Sequence, residues 1–207
     1  MQQHTGQHLF TALALEKWGL PTVGFHLGAQ TVGIELDTDS LTIERANAIA
    51  EQVNKEILKG TPLRSYNLNR SEFEEHGVRS RATPNNVSGP YRIVEITGLD
   101  KNTCGGTHVS NTHEIRGCVV LSIEKLRGRF RVNCLFGDRI LNAAMRWNTR
   151  EKELNLVLSQ GPEAHLTVIK QWANSLQEYK RSQKKMETEL MSSLGKSLAL
   201  EPNDVVQ

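Results

Sequence analysis

The chain has 207 residues, of which 38% are hydrophobic and 23% charged, and its formal net charge is only +2. That length suits one or two domains with a buried core, and the near-neutral balance means that a nucleic-acid partner would have to be met by a local basic patch. Apolar runs such as Val119-Val120-Leu121 are far too short to span a bilayer, so no membrane partner is expected. The polar residues after Met1 argue against a secretory leader. Three cysteines, Cys104, Cys118 and Cys134, are too few and too oddly numbered for a disulfide scaffold. They point to a reducing compartment, the cytoplasm.

Residues 4–18 read as a helix: Leu9, Ala12, Leu13 and Glu16 have helical spacing, and Gly19 and Pro21 supply a stop. Val23 to Asp37 is β-branched and glycine-punctuated, which predicts two short strands joined near Gly28. Thr42 is a plausible N-cap for a helix whose stripe is Ile43, Ala46, Ala50, Val53 and Ile57, closed by Gly60. Pro62–Leu68 resembles a strand, Ser71–Gly77 a helical turn, and residues 83–90 are loop chemistry. Tyr91–Thr97 is a strand by β-propensity, and residues 98–103 turn it toward Cys104. Cys118–Leu126 and Arg129–Phe136 form a hairpin about Gly128, in which Cys118 and Cys134 are packing residues.

After Gly137 the texture changes. Residues 138–158 and 163–194 carry helical periodicity rich in Lys, Arg, Glu and Gln, broken at Gly161-Pro162. Leu166, Ile169, Trp172, Leu176 and Tyr179 are expected to form a seam with Leu154, Val157 and Leu158. The form predicted is a helical hairpin or short coiled coil, suited to a partner or to self-association.

The chemistry concentrates in two places. His4 and His8 lie one turn apart on one helix face, and Cys104-Gly105-Gly106-Thr107-His108 adds a thiolate and a third imidazole. Each half alone is a weak signal. Together they make a donor set suited to tetrahedral zinc, preferred over a surface HxxxH beside an ordinary Gly-Gly turn. The two glycines are expected to free the backbone for left-handed conformations and to let amides approach an oxyanion. His26, His76, His113 and His165 have no partner at ligand spacing and read as solvated or hydrogen-bonded surface residues. No HExxH exists, which excludes that metalloprotease chemistry, and no HxE with PCxxC, which excludes a nucleobase deaminase. Four protein ligands suit a structural site, whereas catalysis wants an open position. The residues leave that choice open.

His4-Thr5-Gly6-Gln7-His8 followed by Cys104-Gly105-Gly106-Thr107-His108-Val109 resembles the editing domain of alanyl-tRNA synthetase and its free-standing AlaX-type relatives. Leu27-Gly28, Ile34-Glu35-Leu36-Asp37, Arg92-Ile93-Val94 and Arg131-Val132-Asn133 extend the likeness, which covers about residues 3–140. The threonyl-tRNA synthetase editing domain shares the frame but has a proline before its last histidine, where this chain has Thr107; that favours the alanine branch. Longer free-standing members carry a glycine-rich β-domain ahead of HxxxH. Here Met1 lies three residues before His4, so a short form without that domain is expected.

The resemblance implies an α+β fold, with a mixed or antiparallel sheet and packed helices as an editing domain over 1–137, and a helical extension over 138–207. It implies one zinc per chain, held by His4, His8, Cys104 and His108. The implied activity is ATP-independent deacylation of mischarged tRNA(Ala), chiefly seryl- and also glycyl-tRNA(Ala). A pocket for a small side chain rejects near-isosteres poorly, so a second hydrolytic site is needed. Gly105 and Gly106 are the candidates for oxyanion positioning. Thr5, Gln30, Thr31 and Thr107 are the candidates for recognising the serine hydroxyl, and Lys125, Arg127, Arg129 and Arg131 for contacting RNA phosphates. The rivals are a non-catalytic zinc-stabilised RNA-binding or adaptor module, and editing of seryl-tRNA(Thr).

Overall fold

The computed structural model describes residues 1–75, 78 and 90–200. His76 and the loop residues 83–89 fall outside them. The chain is α+β and divides into two compact units, Met1–Met145 and Arg146–Gln207. The expected division at 137/138 lies before this one, because the helix that begins at Asp138 starts in the first unit: Ala143 is buried and Ile140 packs on Gly117.

In the first unit, α1 (Gln2–Trp18) ends on Gly19, whose left-handed conformation lets its amide reach back to the last turn. Two strands follow, β1 (Thr22–Leu27) and β2 (Val32–Leu36). Helix α2 (Ile43–Lys59) starts where the Thr42 hydroxyl accepts from the Arg45 amide and stops at Gly60. Strand β3 (Leu63–Leu68) and the short α3 (Arg70–Glu75) lead to β4 (Tyr91–Ile96). Asp100–Thr103 is a further strand, β5, which its polar sequence does not advertise; it forms because β4 offers it a ladder. A 3-10 turn over Thr112–Ile115 is closed by a capping box between Asn111 and Glu114. The hairpin is β6 (Cys118–Leu126) and β7 (Arg129–Phe136), turning at Gly128.

The strands make two sheets, one ordered β1-β2-β7-β6 and the other β3-β4-β5, and every pairing is antiparallel. Of the two arrangements open at the sequence level, the antiparallel one holds. The main core lies between the first sheet, α1 and α2, and takes in Leu9, Phe10, Leu13, Ile34, Ile49, Val132 and Phe136. Helix α1 is buried along most of its length, polar residues included: Thr5 is fully enclosed and Gln7 nearly so.

Helices α4 (Asp138–Leu158) and α5 (His165–Leu200) occupy the expected C-terminal segment. The seam expected between them does not close. Leu158 is buried, but Val157, Leu166, Ile169, Trp172, Leu176 and Tyr179 are all exposed. His165 is buried too, its Nδ1 3.2 Å from Glu151 and its Nε2 3.2 Å from the Gln160 carbonyl. It pins the corner between the helices and is not the surface residue its spacing suggested. Among the described residues no helix is long and apolar enough to cross a membrane.

The approach of α1 to β7 allows no side chain at Gly6, where an added Cβ would sit 2.2 Å from the Phe136 ring. Gly6→Ala is therefore expected to destabilise the first unit by about 1–3 kcal/mol through overpacking, read as a lower urea midpoint with the slope unchanged.

Candidate metal centre

The four candidate ligands come from two elements. The N-terminal turns of α1 present His4 and His8, and the loop after β5 presents Cys104 and His108. The loop is tied at both ends. The Cys104 amide donates to the Arg92 carbonyl of β4 (3.1 Å), and the Leu63 amide of β3 donates to the Ser110 carbonyl (2.8 Å). Between them Arg92 Nη1 donates to the carbonyls of Cys104 (2.6 Å) and Gly106 (2.8 Å). A guanidinium is suited to such a clamp, because its rigid donors can satisfy two loop carbonyls without following their motion.

The donor atoms of His4, His8, Cys104 and His108 all lie within 4.8 Å of one another. Cys104 Sγ is 3.5 Å from His4 Nε2 and 3.3 Å from His108 Nε2. Zinc–ligand bonds of about 2.0–2.3 Å set at tetrahedral angles give edges of roughly 3.3–3.6 Å. The two sulfur–nitrogen edges match that span, and the donor set could hold a metal ion.

Electrostatics agree. Burial lowers the His108 pKa to about 4, helped by repulsion from a protonated His4 at low pH and from Arg92 and the N-terminus. Burial also lowers that of His4, opposed by its hydrogen bond to the Thr107 backbone. Both imidazoles are therefore uncharged at neutral pH, the form that coordinates a cation.

The surroundings orient the ligands. Thr5 Oγ1 lies 3.1 Å from His108 Nδ1 and accepts from the Val109 amide at 3.2 Å. With Nε2 facing the cluster, Nδ1 carries the proton and donates to Thr5, which fixes the tautomer. Thr5 is fully buried beside His108. The Gly106 amide donates to Cys104 Sγ (3.4 Å). Neither Gly105 nor Gly106 takes the expected left-handed conformation. Gly106 is needed for space instead: a Cβ there would sit 2.3 Å from the His4 ring, whereas one on Gly105 would meet nothing within 4 Å.

The other candidates lie on loops and on the hairpin. Thr107 is exposed on the loop, and Gln30 and Thr31 lie between β1 and β2, where the Gln30 carbonyl accepts from Gln3 Nε2 (3.0 Å). On the hairpin, Arg131 Nη2 pairs with Glu35 at 2.7 Å and Arg129 Nε with the same carboxylate at 3.1 Å. Both cations pair with Glu35, whose carboxyl they hold below the usual range. Lys125 sits over the Phe130 ring, and Arg127 is exposed at the turn. Sequence reasoning missed Arg92 as a site residue. Its signal was faint, a charged residue in an apolar strand.

A cleft of about 240 Å³ opens beside His108, lined among others by Leu63, Ser65, Arg92, Val94 and Ser110. On the opposite flank the exposed Phe25 ring of β1 lies 6.3 Å from that of His4.

Two substitutions probe this geometry. Gly106→Ala should displace His4 and lower metal affinity about 10–100-fold in a chromophoric chelator competition, with Gly105→Ala close to the parent. Thr5→Val should lower affinity about tenfold by removing the acceptor that holds His108, with the far-ultraviolet circular dichroism retained.

The family model described as the threonyl and alanyl tRNA synthetase second additional domain matches residues 91–132, which contain Cys104 and His108. Over 171 residues, 82% of this chain, the sequence is 38% identical to the alanyl-tRNA editing protein Aarsd1-B of Xenopus laevis, 41% of which is covered. It is likewise 38% identical over 176 residues to Aarsd1 of Mus musculus, covering 84% of this chain and 43% of that one. It is 32% identical over 145 residues to the alanyl-tRNA editing protein AlaX-L of Pyrococcus horikoshii, covering 69% of this chain and 35% of that one. The chain thus spans about two fifths, or less, of the length of these curated relatives. By these matches, the chain belongs to the family of AlaX-type alanyl-tRNA editing proteins.

Proposed function

We propose that this chain is an ATP-independent aminoacyl-tRNA deacylase that acts in the cytoplasm on mischarged tRNA(Ala), chiefly seryl-tRNA(Ala) and secondarily glycyl-tRNA(Ala). The observation that carries it is the convergence of His4, His8, Cys104 and His108 at the edge of an open polar cleft, in a chain akin to proteins named for alanyl-tRNA editing. One zinc ion per chain suits the donors, since a thiolate and neutral imidazoles are what this borderline-soft, tetrahedral cation takes. When bound, it supplies Lewis acidity toward a carbonyl oxygen.

The remaining work falls to the chain. The cleft beside His108 takes the aminoacylated end of the tRNA, with the Ser65 and Ser110 hydroxyls as polar walls. Arg92 holds the loop still, so that its amides face the ester from fixed positions. The Gly106 amide already donates to sulfur, which leaves that of Gly105 to meet the oxygen on which charge develops. Water adds to the ester carbonyl, the bond to the tRNA oxygen breaks, and that oxygen takes up a proton. Thr5, Gln30, Thr31 and Thr107 remain the candidates for recognising the serine hydroxyl. Lys125, Arg127, Arg129 and Arg131 are the candidates for meeting phosphate, a contact that would weaken steeply with salt.

The test is a deacylation panel of seryl-, glycyl- and alanyl-tRNA(Ala) beside seryl-tRNA(Thr), with metal measured on the same sample. Seryl-tRNA(Ala) should be hydrolysed fastest, and Cys104→Ala should lower that rate about a hundredfold or more while the helical signal persists. Preference for seryl-tRNA(Thr) would move the chain to the threonine branch. No deacylation by the parent chain would leave a binding module in place of an enzyme.

A further inference from the structure

Helix α5 exposes a continuous apolar stripe. Ile169, Trp172, Leu176, Tyr179, Met186 and Leu190 are each between 44% and 72% exposed. They recur at alternating intervals of three and four residues, with Gln183 filling the one gap, which is the seven-residue pattern of a coiled-coil seam. The opposite face carries Lys170, Asn174, Gln177, Arg181, Lys184 and Lys185. Among the described residues α4 does not cover the stripe, since its own Leu156 and Val157 are exposed as well. A long helix with one bare apolar face depends on packing for most of its stability.

We infer that α5 pairs with α5 of a second copy of this chain as an antiparallel two-stranded coiled coil centred between Lys184 and Lys185. The sequence of the stripe selects that occupant and that register. Antiparallel pairing about this centre sets Trp172 against the partner's Ser197, Leu176 against the partner's Ser193 and Tyr179 against the partner's Leu190. Large side chains thus meet small or matching ones along a seam of about 37 Å. The flanking positions set Lys180 opposite the partner's Glu187 on both sides of the twofold axis, and Ala173 opposite the partner's Leu194. Sliding by one heptad in either direction puts Lys180 against Lys180 of the partner subunit, or Glu187 against Glu187 of the partner subunit. A parallel pair would stack Trp172 on Trp172 of the partner subunit and Ser193 on Ser193 of the partner subunit, and would set Lys180 opposite a serine. Only the register centred between Lys184 and Lys185 is complementary in both size and charge, and it is self-complementary, as a twofold interface must be.

The experiment is sedimentation equilibrium on the full chain over a range of concentrations, with circular dichroism as a check on folding. The parent should fit a dimer of the 23.2 kDa chain, and Leu176→Glu should yield the monomer. Lys180→Glu or Glu187→Lys alone should weaken association about tenfold, and the two together should restore it. A parent that stays monomeric at all concentrations overturns the inference. So does a dimer indifferent to Leu176→Glu. A dimer sensitive to Leu176→Glu but blind to both charge reversals overturns the antiparallel register.

Discussion

The first unit depends on how closely α1 lies against the sheet. Gly6 puts the helix backbone on the Phe136 ring, nearer than any side chain would allow. At that distance the helix is enclosed on most sides, so its polar residues must find partners inside the protein. Gln7 donates to Thr11, Thr22 to Thr11 as well, and Thr5 takes the Val109 amide. The same closeness brings the first turns of α1 under the loop after β5. The packing constraint and the candidate metal centre are one arrangement seen from two sides.

At the centre, the ligands are ordinary and the outer contacts do the positioning. His108 is turned by Thr5 from the other motif, one residue from His4. The loop that carries Cys104 is held by Arg92 from β4, and β4 in turn is paired on one edge with β3 and on the other with β5. Burial lowers the pKa of His4 and His108, which favours their neutral form, the one that coordinates a cation. Such second contacts tune a metal site as strongly as the ligands themselves.

The basic residues of the hairpin also pair within the sheet. Four cations bracket Gly128 in the sequence, yet two of them face a single carboxylate on the neighbouring strand. The pairing follows from register: Glu35 sits opposite Arg131 on β7. Glu35 lies some hundred residues away in the chain, so no local pattern announces it. In the second unit the opposite holds. The stripe on α5 is visible in the sequence, and the structure adds that nothing described in α4 lies over it.

The sequence by itself determined the elements that local chemistry controls. Periodicity placed α1, α2, α4 and α5, turn residues ended them, and the β6–β7 hairpin followed from β-propensity around a glycine. The four metal-ligand candidates were legible as well, because residue type and spacing are all that a donor set requires. Tertiary structure decided the rest. It made a strand of polar Asp100–Thr103, assigned Thr5 to a ligand, gave Gly106 its steric reason and set Arg92 as the clamp of the loop. It also left the α4–α5 seam open. Each of these rests on contacts between segments far apart in the chain, whose distances a local pattern does not encode.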